Sequence, residues 1–319
     1  MDTTVQRPAA AQSASTWAAF ESRIHATHEK LRQSSEAASL FALVDTRGHP
    51  ELRAALTRLE SVPFAALWDG TDLAEHQDIS PLLIDIDLDA EDSGGALALL
   101  KRLWQFSERG FMVTWIWSAY ELADIAEHLR KYCEYTLPDR RTFYLHFYDN
   151  RILERLRMVW SPEKWVGIAG FADEMWYRRR SGESAVWSRD ATAVHAEKCL
   201  PSAITHEEHL ALIALGYVDK LAMQLRELYG PCLEHLSPDQ LYLAIEAQVE
   251  RATSHGVKDE ADMLRYVAKG LLIGPRFDEQ PEIHNGLRSA RRGAVPFAQV
   301  LSKVDATMDD DHIGKEARA

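Results

Sequence analysis

Three cysteines in 319 residues are too few for a disulfide framework, and Cys133, Cys199 and Cys232 are too scattered for a zinc cluster, so reduced thiols are expected. Long apolar runs are missing as well. The longest stretch free of polar residues, glycine included, is Leu210 to Val218, nine residues, where a membrane-spanning helix needs about 20. The first 40 residues show no basic start followed by an apolar segment and a small-residue cleavage site, so a cytoplasmic protein without membrane contact is expected. Three catalytic signatures are absent too: the nucleophile elbow G-x-S-x-G, the phosphate-cradling G-x-x-x-x-G-K-[ST] and the dinucleotide turn G-x-G-x-x-G. Basic residues are outnumbered, 36 against 49 acidic, and the net charge of −13 disfavours nucleic acid and anionic lipid as partners. The excess is spread, −7 over residues 39–198 and −6 over 199–319, so no acidic tail accounts for it.

What is present is the material of a folded chain. With 46% hydrophobic and 27% charged residues disorder is excluded, and the length fits about two domains. Trp17, Phe20, Ile24 and Leu31 recur at helical spacing and predict a helical lead-in over residues 1–38. Short aromatic and aliphatic runs then predict five strands, at residues 40–44, 64–68, 82–86, 111–117 and 142–148. Helical patterns lie among them at 49–59, 96–108 and 119–134. This alternation predicts an α/β domain over 39–198, a mixed sheet with some parallel pairing and flanking helices. Beyond residue 200 strand signals fade. Thr205 to Glu208 and Ser237 to Gln240 match the capping box, and further helices are expected from Glu260 and after Pro296, giving an all-helical domain over 199–306 and a flexible tail over 307–319.

Several constellations invite a chemical reading. Asp85, Asp87 and Asp89, with Glu91 and Asp92 beyond, alternate along a strand and could share a divalent cation. Counted as an EF-hand loop, however, position 6 is Ala90 and position 12 is Ala96, so a solvated strand end closed by Gly94 and Gly95 is the preferred reading. His206 and His209 stand three apart, not the four of a zinc-protease helix. Arg178, Arg179 and Arg180 read as a strand end or partner contact sooner than as a phosphate site. The densest polar cluster runs from Tyr144 to Leu153. Extended, it puts Phe143, Leu145 and Phe147 on one face and Tyr144, His146 and Tyr148 on the other, and leads to Asp149, a helix cap. His146, His128, Arg130 and Arg151 could then form an anion or acid/base site; the structural account has Asp149 capping and Arg151 bridging to a carboxylate. No catalytic residue, cofactor or metal set is assigned. The one enzymatic alternative is a metal-dependent phosphoesterase using Asp85, Asp87, His128 and Asp149.

Phe147-Tyr148-Asp149-Asn150-Arg151-Ile152-Leu153 resembles the F-Y-D-P-R-V-L signature of the type VI secretion adaptor and effector-chaperone family, the Tap or TEC proteins. Leu67-Trp68-Asp69-Gly70-Thr71 and Pro81-Leu82-Leu83 are similar to its L-F-D-G-T and P-Y-L-V blocks, and His128-Leu129-Arg130-Lys131-Tyr132 to its H-L-R-R-F block. His255-Gly256-Val257 and the stretch from Gly270 to Phe277 are similar to the helical region of many members. Two positions depart from the pattern: His146 stands where the family has arginine and Asn150 where it has proline, a change a turn accepts. The resemblance implies a cytoplasmic, non-catalytic protein of a Gram-negative bacterium, without cofactor, that binds a toxic effector and helps load it onto the VgrG spike. It makes Trp68, Asp69, Gly70, Thr71, Pro81, His128, Arg130, Phe147, Tyr148, Asp149 and Arg151 structural or partner-binding residues. A chain with 26 arginines against 10 lysines, nine tryptophans and ten tyrosines has the side chains that anchor protein interfaces.

Overall fold

The structure, a computed structural model, describes residues 16–34, 38–59, 61–89, 93–189 and 204–304. Glu91, Asp92, Cys199 and the expected tail over 307–319 lie outside the described residues. The chain divides into two units, Met1–Arg179 with Ser184–His206, and Arg180–Glu183 with Glu207–Ala319.

In the first unit the elements run α1 (Trp17–Ser34), β1 (Ser39–Val44), α2 (Glu51–Arg58), β2 (Phe64–Ala66), β3 (Leu82–Ile86), α3 (Ser93–Arg109), β4 (Val113–Ser118) and α4 (Leu122–Arg130). They continue through β5 (Glu134–Thr136), β6 (Thr142–Tyr144), α5 (Asn150–Val159), α6 (Pro162–Ala169), β7 (Glu174–Arg178) and β8 (Ser184–Ser188). Six strands form one sheet in the order β2-β3-β1-β4-β7-β8, while β5 and β6 pair apart from it. Both faces of the sheet are covered. Leu40, Ala42, Ile84, Trp115 and Trp117 pack with Ile24 of α1, Leu52 and Leu56 of α2 and Leu100 and Leu103 of α3. On the other face Leu43, Ile116 and Met175 meet Leu129 of α4, Leu153 of α5 and Trp165 and Ile168 of α6. Burial on two sides explains why β1 and β4 read as continuous apolar runs with no polar alternation.

The expectation of an α/β unit followed by a helical one holds, but the expected parallel pairing is corrected: every pair in the sheet is antiparallel. Helix α3 does connect two strands of the same direction, β3 and β4. Strand β1 lies between them, paired to both, so the crossover spans an intervening strand and no two parallel strands touch. The strand expected over 142–148 stops at Tyr144 and belongs to the small β5–β6 ladder. Beyond it the amides of Phe147 and Asp149 donate to the carbonyls of Leu145 and His146 in tight turns. Phe147 and Tyr148, expected on opposite faces, are therefore both buried. The helix expected over 119–134 ends at Arg130, since Glu134 to Thr136 form β5.

The second unit is helical: α7 (His206–Leu215), α8 (Tyr217–Leu233), α9 (Pro238–Ser254), α10 (Glu260–Leu272), α11 (Pro281–Arg291) and a last helix, α12, over residues 297–304. Leu221, Leu225, Ile245, Tyr266, Val267, Leu287 and Leu301 form its core. Ser237 and Gln240 make the reciprocal capping box at α9, and Asp259 caps α10 through the Asp262 amide. Helices α7 and α8 are separated at Gly216, and α8 bends at Tyr229, whose backbone leaves helical values at φ −131° ahead of Pro231. Asp278 is buried at the centre. It accepts hydrogen bonds from Arg251 Nη2 (2.6 Å), Tyr266 Oη (2.7 Å) and His255 Nε2 (2.8 Å), so the carboxylate is fully engaged in holding α9, α10 and the turn before α11.

Gly270 lets α10 approach α9. A Cβ at this position falls 2.2 Å from Oε1 and 2.6 Å from Cγ of buried Gln248, whose amide donates to the Pro275 carbonyl. Glycine inside a helix ordinarily costs about 1 kcal/mol relative to alanine. Gly270→Ala is nevertheless expected to destabilise the helical unit by roughly 1–3 kcal/mol, because overpacking outweighs the propensity gain. Urea unfolding followed by far-ultraviolet circular dichroism checks this; a midpoint equal to or above the wild type contradicts it.

Candidate functional site

At one end of the sheet, where β1 and β2 finish and β3 and β4 begin, four loops converge. Two of them carry the same tripeptide pattern, Asp45-Thr46-Arg47 after β1 and Asp149-Asn150-Arg151 at the start of α5. In each, the aspartate accepts the amide of the arginine two residues on, at 3.1 Å for Arg47 and 3.0 Å for Arg151, and so caps the turn that follows. Each arginine folds back on its own aspartate: Arg47 Nε lies 2.9 Å from Asp45 Oδ1, and Arg151 lies 2.9 Å (Nε) and 2.8 Å (Nη2) from the Asp149 oxygens. Arg47 Nη2 also reaches Asp149 Oδ2 at 3.1 Å, which joins the two turns.

The remaining loops close around this pair. Thr46 Oγ1 donates to the Ser80 carbonyl (2.9 Å), and Ser80 Oγ accepts the Trp68 amide (3.2 Å). The Leu67 amide donates to the Pro81 carbonyl (2.9 Å), and Arg130 Nη2 to the Ala66 carbonyl (3.2 Å). Thr71 Oγ1 donates to the Trp68 carbonyl (2.7 Å), and Gly70 supplies the positive φ of 79° that this turn needs. Exposed Asp69 pairs with Arg53 at 3.3 Å. Trp68 and Tyr148 meet edge to face at 6.3 Å, and the Tyr148 phenol hydrogen-bonds with His146 Nδ1. Asn150 is fully buried. It accepts from Thr114 Oγ1 (2.7 Å) and donates to the Val113 carbonyl (2.9 Å), so it ties α5 to β4 and does more than fill a turn.

The structure thus gathers Trp68, Pro81, Arg130, Tyr148, Asp149 and Arg151, with Phe147 buried behind them. It leaves His128 apart: Nε2 donates to the Ile168 carbonyl (3.3 Å), and the ring sits between Tyr132 and Phe171. Sequence reasoning missed Asp45 and Arg47. The available signal was the recurrence of Asp-x-Arg at the close of an apolar strand.

Electrostatics follows the geometry. Burial alone would push the Asp149 carboxyl up, but the hydrogen bonds and charge of Arg151 and the charge of Arg47 together hold it below the ordinary carboxylate range. Burial, then Arg47, lowers the His146 pKa and keeps the ring neutral, while burial raises Tyr148 and keeps its phenol protonated. Cys133 is buried, and burial pushes its thiol up to about 12, far from a nucleophilic thiolate. The four residues of the phosphoesterase alternative do not share one site: Asp149 is held by two arginines, His128 by a carbonyl, and Asp85 lies near Asp87 and Glu121. Among the described residues no three His, Cys, Asp or Glu side chains come together as a metal requires. Of the three adjacent arginines, Arg178 donates to the Ser107 carbonyl and Arg179 lies 4.0 Å from Glu154. Arg180, which belongs to the helical unit, pairs with Asp219.

Residues 40–166 match the model of a family described as a domain of unknown function, DUF4123. The matched segment spans the strands β1 to β4, both Asp-x-Arg turns and all four motif blocks. No curated protein and no solved structure matches the chain. No helix among the described residues is long and apolar enough to cross a membrane.

Two titrations test the electrostatics. Removing one partner of a buried charge pair costs roughly 2–5 kcal/mol, and Asp149→Ala is expected to lose that much at pH 7. Because the folded pKa is depressed, this contribution is full above about pH 4 and fades as pH falls through the folded value, so wild type and variant converge in acid. Equal stability at pH 7 contradicts it. Asp85 is the opposite case: burial, then Asp87 and Glu121, push it up to about 6. Its ionisation costs stability as pH rises from about 4 to 6, so Asp85→Asn is expected to gain on the order of 1 kcal/mol at pH 8, discounted for solvent, and nothing near pH 4. A variant weaker than wild type at pH 8 contradicts this.

Proposed function

We propose that the chain is a non-catalytic adaptor that binds a type VI secretion effector and helps load it onto the VgrG spike. The observation that carries the reading is the family match over residues 40–166, which falls on the same motif blocks whose resemblance points to the adaptor and effector-chaperone proteins. That family is linked to type VI secretion adaptors. The chemistry of the site supports it. The polar side chains of the motif are engaged within the fold: the Asp149 carboxylate takes four donors, three from the guanidiniums of Arg47 and Arg151 and one from the Arg151 amide, Arg130 and His128 are turned to backbone carbonyls, and Asn150 is buried in a structural bridge. A general acid or base needs a carboxyl or imidazole placed to exchange a proton with substrate. Here those groups hold loops in place, and what faces outward is a rigid surface suited to recognition.

The test is affinity purification of the tagged full-length chain from its native host, with mass spectrometry of what co-elutes. A toxin in near-equal amount together with VgrG is the expected result. Recovery of the chain alone, or with general folding chaperones only, contradicts the reading.

A further inference from the structure

The two Asp-x-Arg turns have an asymmetry between what is buried and what is presented. The side chains of Asp45 and Asp149 are 6% and 7% exposed, whereas those of Arg47 and Arg151 are 38% and 40% exposed. A third guanidinium continues the row. Arg151 and Arg178 both lie over the Phe111 ring, at 5.7 Å and 5.8 Å from its centroid, and Arg178 also donates to the Ser107 and Glu108 carbonyls at the end of α3. An approaching molecule therefore meets guanidinium groups, and the carboxylates that fix them lie beneath. Arg47 engages its carboxylates through Nε and Nη2, and its Nη1 makes no hydrogen bond among the described residues.

We propose that this arginine face, Arg47, Arg151 and Arg178 around Phe111, is the docking surface for a short acidic segment of a partner protein. The inference rests on the adaptor reading and names the chemistry of what the surface takes. Arg47, its Nε and Nη2 engaged beneath, has Nη1 to donate to a second carboxylate, and side chains already held by such bonds lose little entropy on binding. The chain as a whole carries −13, yet at physiological salt charges separated by more than about 8 Å are largely screened, so the local balance decides for a short ligand: three guanidiniums against the two carboxylates, Asp45 and Asp149, beneath them. A nucleic acid needs a long basic tract to release its counterions and would run onto acidic surface, which favours a few Asp or Glu side chains on a peptide.

Fluorescence anisotropy with the full-length chain and a labelled octaglutamate peptide tests this, with an oligothymidylate of equal charge as the comparison. The peptide is expected to bind at 50 mM NaCl and to weaken at least tenfold by 300 mM, with the oligonucleotide binding at least tenfold less tightly. Arg47→Gln is expected to lose at least tenfold in peptide affinity. Arg178→Gln, which removes a guanidinium held on the Ser107 and Glu108 carbonyls, should lose at least threefold while remaining folded by far-ultraviolet circular dichroism at the assay temperature, and serves alone if Arg47→Gln does not fold. No peptide binding, equal affinity in folded variants, or an oligonucleotide bound as tightly as the peptide overturns the proposal. Its failure is separable from that of the adaptor reading: an effector recovered equally by wild type and Arg178→Gln sinks the docking surface alone, and an effector recovered by neither sinks the adaptor.

Discussion

Arg47 reaches two carboxylates at once, its own Asp45 and, across a hundred residues of chain, Asp149. Much of the first unit depends on that bridge. Asp45 follows β1, one of the two central strands of the sheet, and Asp149 caps α5, which covers one face of it. The loop between them in space, residues 110–112, is fixed from both sides, since the Asp45 amide donates to the Met112 carbonyl and the Asn150 amide to the Phe111 carbonyl. Thr46 then holds the Ser80 loop, and that loop holds the turn carrying Trp68. A buried carboxylate with four cationic or amide donors is costly to leave unpaired, which makes this end of the sheet a single cooperative piece.

The same arrangement shapes what the surface can do. Groups that looked chemically promising in isolation, Asp149 above all, are consumed by the architecture. Their burial leaves the paired arginines, Arg47 and Arg151, partly exposed above them. In the helical unit Asp278 plays a comparable part: one buried carboxylate gathers Arg251, His255 and Tyr266. Each unit thus organises a polar cluster around buried aspartate, Asp45 and Asp149 in the first and Asp278 in the second.

Much of this was legible in the sequence, and the misses have physical causes. Strong local signals survived: the Ser237 capping box, the Asp259 cap, the Asp149 cap and the apolar strands β1, β3 and β4. Parallel pairing was inferred from alternating strands and helices, but the insertion of β1 between β3 and β4 is a long-range choice that no local pattern records. Strands β7 and β8 escaped although Arg178 to Arg180 read as a strand end: Arg178 does end β7, and Gly182, at φ 83°, turns the chain into β8. At the site, the motif blocks led to Trp68, Tyr148, Asp149 and Arg151, and Asp45 and Arg47 went unseen because their importance lies in a contact 102 positions away in the chain.

All nine tryptophans lie between residues 17 and 187, so tryptophan fluorescence reports the first unit alone. The most direct test of the account is a double-mutant cycle on Arg47 and Asp149, with alanine at each position and urea unfolding followed by that fluorescence. The account predicts a coupling of roughly 1–3 kcal/mol between the two positions, as expected for partners in one network. Additive losses, with coupling within about 0.5 kcal/mol of zero, would contradict the claim that this bridge holds the end of the sheet together.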